Sequence, residues 1–389
     1  MNSFEALVAL GEPLNDEAKA RYRRHTVIPE IGIEGQMRLA NAKVLCIGAG
    51  GLGSPVLLYL AAAGVGTIGI ADHDIVDVSN LQRQVMHGEG NVGSPKTVSA
   101  RAAILEINSS IKVITHSQGI TRKNALELIA EYDLVIDATD NFVTRYLIND
   151  ACVLLGKPCV WGSIYRFDGQ ASVFWSKHGP CYRCMHPEPP AKELAPNCAV
   201  GGVFGALCGV IGSIQSTEAI KLITGIGQPM VGKVLLYNAL ENSYDTITLK
   251  KDPSCVICSE NPVQTELMAD YESFCSVSLF EYNEFDIPVV TPEKLDQIQK
   301  SGAVFQLIDV REPSEWDEGF IPGAALVPQG EFYGGTAIAA LSPEVPIVLY
   351  CHSGYRSANC AAALLNAGFK DVASLDGGIE AWALYSTNV

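Results

Sequence analysis

Basic residues are scarce in this chain of 389 residues: 27 Lys and Arg stand against 43 Asp and Glu, a formal charge of −16 at neutral pH. A phosphate backbone is held through a basic face, so this balance argues against a nucleic-acid partner. Residues 1–24 carry no basic stretch ahead of an apolar run, which argues against a secretory leader and makes the cytoplasm the expected location. The apolar runs around residues 203–214 and 358–367 are short or interrupted by Gly, Ser and Asn, so no membrane span is expected. Charged residues make up only 18% and hydrophobic ones 48%, a globular rather than a disordered composition. Cysteine, by contrast, is plentiful. Twelve in a chain expected to sit in a reducing compartment have to be sorted into metal ligands, reactive thiols and core residues before any disulfide is considered.

The length exceeds one typical core, and the patterning predicts two domains. From Lys43, short β-rich runs alternate with helical stretches through residue 139, the signature of a parallel sheet with helical crossovers. Strand-like segments at 159–164 and 169–175, a Gly-rich apolar helix near 201–222 and strands at 233–239 and 245–251 extend the same domain to residue 260. Residues 261–286 are acidic and aromatic without clear periodicity and are expected to form an exposed linker with some local packing. A second, smaller α/β domain is expected over residues 287–389, where helix, strand, strand, helix and strand patterns follow one another. The fold class is α/β throughout: a Rossmann-like domain with a mostly parallel sheet, and a small companion.

Gly48-Ala49-Gly50-Gly51-Leu52-Gly53 follows a strand and opens a helix, and Asp72 ends the next strand. Glycines let backbone approach a phosphate, a helix N-terminus favours negative charge, and an acid at the second strand end reaches ribose hydroxyls. That pattern alone usually indicates a nicotinamide or flavin dinucleotide. The polar residues that follow favour a triphosphate instead. Asp74, Asn80, Arg83, Lys96, Asp140 and Asn141 are more than hydride transfer requires. Arg83 and Lys96 could neutralise phosphate oxygens, Asn80 could hold them, and Asp140 at a strand end could hold a magnesium ion. Any one of these alone reads as a solvated surface charge; their joint placement reads as a site.

With Arg21-Tyr22-Arg23-Arg24-His25 and the run Ser79-Asn80-Leu81-Gln82-Arg83-Gln84, these motifs resemble the ubiquitin-activating superfamily over about residues 15–260. The likeness is specifically to the bacterial adenylyltransferases that activate molybdopterin-synthase and thiamine sulfur carriers. It implies ATP and Mg2+ as cofactors and a ubiquitin-like sulfur-carrier protein ending in Gly-Gly as partner. It also implies a homodimer in which Arg24 reaches the partner subunit's ATP.

Cys181-x-x-Cys184 and Cys255-x-x-Cys258 are two pairs of equal spacing in one domain, a thiolate set suited to a closed tetrahedral Zn2+ site, and the resemblance implies zinc there as well. A redox pair or chance would explain one such pair more readily than two. Cys198 precedes the Gly-rich helix. The resemblance places it where relatives carry a cysteine proposed to link to the carrier, and an incidental thiol is the competing reading. Cys46, Cys152, Cys159 and Cys208 read as core residues, while Cys275 and Cys360 fall in no usable pattern.

Near the C-terminus a strand delivers Cys351-His352-Ser353-Gly354-Tyr355-Arg356 directly into a helical run. Backbone N–H groups at such a turn would stabilise a thiolate or persulfide at Cys351, with Arg356 adding positive charge. A cysteine phosphatase needs five residues between Cys and Arg, and here there are four. With Asp309-Val310-Arg311-Glu312-Pro313-x-Glu315-Trp316, Gly319-Phe320-Ile321-Pro322-Gly323-Ala324 and Asp376-Gly377-Gly378, this stretch resembles a rhodanese domain over about residues 287–383. Together the resemblances imply adenylation of the carrier's C-terminal carboxylate, then sulfur transfer from a Cys351 persulfide supplied by a donor such as a cysteine desulfurase. Three alternatives stay open. They are a carrier-activating enzyme for protein conjugation, a Rossmann dehydrogenase fused to a sulfurtransferase, and a non-catalytic carrier-binding scaffold. The pathway served, whether molybdopterin, thiamine, cysteine or tRNA thiolation, is not specified by the residues.

Overall fold

The computed structural model describes residues 4–189, 202–276, 287–311, 313–317, 319–333, 336–352 and 354–387. The chain divides into two compact units, residues 1–277 and 278–389.

In the first unit, helices α1 (Asp16–Arg21), α2 (Arg23–Thr26) and α3 (Gly32–Asn41) precede a βα repeat. The repeat comprises β1 (Lys43–Ile47), α4 (Gly53–Ala63), β2 (Thr67–Ala71), α5 (Lys96–Ile107), β3 (Lys112–His116), α6 (Ala125–Ala130), β4 (Leu134–Asp137), α7 (Phe142–Leu155) and β5 (Cys159–Tyr165). Then come β6 (Asp168–Phe174), α8 (Tyr182–Met185), α9 (Gly205–Thr224), β7 (Lys233–Asn238), β8 (Ser243–Thr248) and α10 (Tyr271–Ser276). The eight strands form one sheet in the order β3-β2-β1-β4-β5-β6-β7-β8. Its first five strands run parallel and the last three join antiparallel.

The β1, β2 and β4 strands are buried runs of Val, Leu, Ile and Cys, as a sheet covered on both faces requires. Their register pairs Ile47 with both Ala71 and Asp137, so Gly48, Asp72 and Ala138 leave the sheet at one level. Chain order reverses between β1 and β4, which makes their carboxyl ends the crevice where α/β sheets bind ligands.

Local chemistry ends each helix. Asn141 caps α7 by accepting from the Thr144 amide at 2.9 Å, and Gly64, Gly156 and Gly225 close α4, α7 and α9 in the left-handed region. Contrary to the expectation that no apolar stretch could span a bilayer, α9 is long and apolar enough on length and composition alone. Over half of its apolar window is nevertheless buried inside the unit: Leu207, Ile211, Ala219, Leu222 and Ile223 join the core with Leu57 and Val160. Buried Gln215 donates to the Asp137 carbonyl at 2.8 Å, tying this helix to the end of β4.

Residues 261–270 are mostly exposed, and the local packing expected of this stretch is made with the first unit. Leu267, Tyr271 and Cys275 are buried with Tyr146 and Ile148 of α7, and both the Tyr271 hydroxyl and the Gln264 amide donate to Asp150.

The second unit carries a five-stranded parallel sheet in the order β11 (Ala325–Leu326), β10 (Gln306–Asp309), β12 (Ile347–Tyr350), β13 (Val372–Leu375), β9 (Val289–Val290). Its middle strand β12 is wholly buried and ends at Tyr350, immediately before Cys351. Helices Tyr355–Asn366 and Gly378–Thr387 follow β12 and β13.

Candidate functional site

The Gly-rich turn is built to touch its neighbours. Gly48 sits at φ +98°, where a Cβ would lie 2.6 Å from the Ala138 carbonyl oxygen, and one on Gly53 would lie 2.1 Å from the Gly48 carbonyl oxygen. Only glycine fits either position. Asp72 accepts from the Ala49 amide at 2.7 Å and from the Asp74 amide at 2.8 Å, so it shapes the loop from the end of β2. Asp74 pairs with the buried Lys96 ammonium at 2.9 Å, the first residue of α5. The Arg83 stem packs at Gly51, and its guanidinium donates to the Ser79 carbonyl at 3.1 Å. Asn80 accepts from the Asp77 amide in a small capping box, and Asn141 serves α7 as described, so each has a local structural task. Asp140 is exposed at the turn between β4 and α7. The structure thus collects Gly48, Gly50, Gly51, Gly53, Asp72, Asp74, Lys96 and Arg83 around the end of β1, with Asp140 following β4 beside it. Arg24 is exposed on α2, while its neighbour Arg21 donates to the Ile107 carbonyl at the C-terminus of α5.

Two residues with no role assigned from the sequence lie beneath this loop. His87 is buried, with Nε2 2.8 Å from the Ala49 carbonyl and Nδ1 2.8 Å from the Ser99 hydroxyl. The Ala49 oxygen only accepts, so Nε2 carries the proton and Nδ1 accepts from Ser99. Burial lowers the His87 pKa and keeps the ring neutral, and the nearby Lys96 charge acts in the same direction. Gln84, also buried, lies against Gly50. The only sequence signal was their place in the polar run following Asn80.

The sulfur atoms of Cys181, Cys184, Cys255 and Cys258 lie within 4.8 Å of one another. The separations Cys181–Cys184 at 3.9 Å, Cys181–Cys255 at 3.7 Å and Cys184–Cys258 at 3.4 Å approach the edge of about 3.8 Å that tetrahedral Zn–S bonds impose. Four thiolates this close repel unless a cation sits among them, so the donor set fits zinc. The Asp252 amide donates to Cys184 at 3.4 Å, a contact common around bound thiolates. Cys46, Cys152, Cys159 and Cys208 are core residues. Cys198 lies outside the described residues.

In the second unit Cys351 is buried at the start of its loop, with the Gly354 amide 3.2 Å and the Ser357 hydroxyl 3.6 Å from its sulfur. Gly378 lets the following helix approach: its Cβ would lie 2.5 Å from the carbonyl oxygens of Cys351 and His352, and the Ile379 amide donates to the former at 2.8 Å. Arg356 stands where it can add positive charge beside Cys351, as expected, and it is shared with a carboxylate that the sequence did not assign to it. Glu315 accepts from both of its terminal nitrogens, at 2.6 and 2.7 Å, and this pairing holds the guanidinium pKa above its usual value. Asp309 and Arg311 of the same motif form a buried bidentate pair, so they brace the loop rather than face it.

A nucleotide-type crevice, a four-cysteine site and a separate cysteine loop define a two-module enzyme. The ThiF family model matches residues 22–257, and the Rhodanese-like domain model matches residues 291–385. The probable adenylyltransferase/sulfurtransferase MoeZ of Mycobacterium tuberculosis is 52% identical over 386 residues, spanning 98% of this chain and 97% of that relative. The adenylyltransferase and sulfurtransferase MOCS3 of Culex quinquefasciatus is 41% identical, spanning 95% and 88%. A crystal structure of E. coli MccB with ATP shares the fold at a TM-score of 0.54 and 24% identity, over 63% of this chain and 76% of that one. The chain belongs to the ThiF family and carries a C-terminal rhodanese-like domain. It is an ATP-using adenylyltransferase and a sulfurtransferase.

Proposed function

We propose that the first unit adenylates the C-terminal glycine carboxylate of a ubiquitin-like sulfur carrier and that the second converts the product to a thiocarboxylate. A carboxylate oxygen attacks the α-phosphorus of ATP and pyrophosphate leaves. Arg83 and Lys96 neutralise phosphate charge, the amides of the Gly-rich loop approach the phosphates, and Asp140 would hold the Mg2+ that offsets charge on the leaving group. In a homodimer, Arg24 of each protomer serves the other's site. The outer sulfur of a Cys351 persulfide then attacks the acyl carbon and AMP leaves, giving a carrier–CO–S–S–Cys351 link. A thiol, with Cys198 one candidate, attacks Cys351 Sγ and releases the thiocarboxylate as a new disulfide forms. The upstream sulfur source is a persulfide donor such as a cysteine desulfurase. The cysteine set holds zinc away from this chemistry and stabilises the unit.

The observation that carries this reading is the union, in one chain, of Asp72, Lys96 and Asp140 around the Gly-rich turn with a Cys351 whose sulfur accepts from the Gly354 amide and the Ser357 hydroxyl. Adenylation turns a poor leaving group into a good one, and tethering keeps the sulfur donor concentrated nearby. The test is ATP–pyrophosphate exchange with a purified carrier ending in Gly-Gly. Wild type should show carrier-dependent exchange and Asp140→Ala should lose it. Exchange that survives in Asp140→Ala would remove Asp140 from the chemistry.

A further inference from the structure

We propose that Arg145, held between Asp137 and the zinc-site residue Tyr182, is a positioning residue that fixes the Thr139 backbone and thereby the orientation of Asp140. The proposal rests on the adenylation reading given above. Arg145 lies one turn into α7 and is 6% exposed. Its guanidinium sits over the rings of Phe142, Trp161 and Tyr182, at 5.3, 5.4 and 5.8 Å from their centroids. One terminal nitrogen donates to the Thr139 carbonyl at 3.3 Å, while Nε, with no hydrogen-bond partner, stands 3.9 Å from the Asp137 carboxylate. Asp137 in turn accepts from the Thr139 amide at 3.0 Å and from its hydroxyl at 2.6 Å. Every polar group of Thr139 is therefore held by one of two buried, opposite charges, and the next residue is Asp140.

A buried ion pair is a poor way to gain stability, since desolvation offsets most of its attraction. What it does supply here is a fixed backbone at the mouth of the crevice. The same pair reaches the metal centre. Tyr182, between the first two zinc-site cysteines, packs on Arg145 and donates its amide to Asn149 at 2.8 Å. Arg183 beside it makes a two-pronged contact with Asp150, also on α7, at 2.8 and 2.9 Å. The C-terminal half of α7 is thus bolted to the four-cysteine site and its N-terminal half aims Asp140, with Arg145 between them.

The test uses the full-length, zinc-loaded protein, a carrier ending in Gly-Gly and four forms: wild type, Arg145→Met, Arg145→Lys and Asp140→Ala. Pyrophosphate exchange is measured against Mg2+ and ATP concentration, with zinc content and melting point read alongside. A misplacement of about 1 Å costs about 10²-fold in rate, so Arg145→Met should lose about that in kcat. It should need more Mg2+ for half-maximal exchange, keep KM for ATP near the wild-type value and retain its zinc, and Arg145→Lys should recover part of the loss. The proposal fails if Arg145→Met matches wild type in kcat and Mg2+ requirement. It fails equally if the loss comes with parallel changes in KM, zinc content and melting point that Arg145→Lys does not relieve, since that is damage to the fold. Wild type without carrier-dependent exchange, or an active Asp140→Ala, would overturn the adenylation reading and this inference with it.

Discussion

At the scale of single residues, the Gly-rich loop depends on groups packed beneath it. His87 holds the Ala49 carbonyl from below, and its ring has to stay neutral at Nδ1 to accept from Ser99. Burial lowers the pKa of His87, and likewise of the half-buried His116 and His186. The sign follows directly. An unfolded histidine takes up a proton near pH 6.5 while the folded one resists it, so the unfolded state binds more protons and stability falls as pH drops through about 6.5. The melting point should therefore decrease between pH 7.5 and 5.5. His87→Gln keeps a donor for Ala49 and an acceptor for Ser99 and should flatten that slope, and thermal unfolding across the pH series measures it. An unchanged slope in the variant would assign the acid sensitivity elsewhere. Gly48, Asp72, Lys96 and Asp140 were legible because their spacing along the chain repeats the spacing of strand ends. His87 and Arg145 were not, because each acts through a neighbour that only the register of the sheet or the close of a loop supplies.

At the scale of elements, the two cysteine pairs join α8 to a turn 74 positions later, and Asp150 gathers the pieces around that join. It accepts from Arg183, Asn149, Gln264 and Tyr271. That explains how residues 261–276 find their local packing: their anchoring depends on one buried carboxylate on α7, which no local periodicity reveals. Gln264 and Tyr271 follow the four-cysteine site, so an ion held there and this packing would support each other. Stripping zinc with a chelator should then lower the first unit's melting point. A loss of only about 2–3 kcal/mol would correspond to about 3–5 °C for a unit of this size. Thermal unfolding before and after verified metal loss checks it, and an unchanged melting point would deny the site a structural part. Helix α9 was legible in place and length but not in surroundings. Its apolar character follows from contact with both α4 and the sheet rather than from a membrane.

At the scale of the whole molecule, two activities share one chain, and what the tether adds is local concentration. A covalent tether can hold a partner at an effective concentration of about millimolar, against about micromolar for separate molecules in a dilute assay. This yields a test that needs no knowledge of how the units are arranged. Asp140→Ala retains the Cys351 loop and Cys351→Ala retains the Gly-rich site, so each full-length variant lacks one step. Purified separately and mixed at about 1 μM with ATP, carrier and a persulfide donor, the pair should form thiocarboxylate at about 10⁻³ of the wild-type rate if transfer depends on the tether. The rate should then rise in proportion to the concentration of added Cys351-containing chain. Near wild-type recovery at once would mean that the acyl-adenylate or the persulfide passes freely between molecules, and the fusion would then serve co-expression rather than channelling. Co-expressing the two variants, which would let mixed dimers form if the chain pairs as proposed, separates the remaining case. Recovery there, without recovery on mixing, would place transfer across the dimer, the arrangement that the reach of Arg24 to a neighbouring site would share.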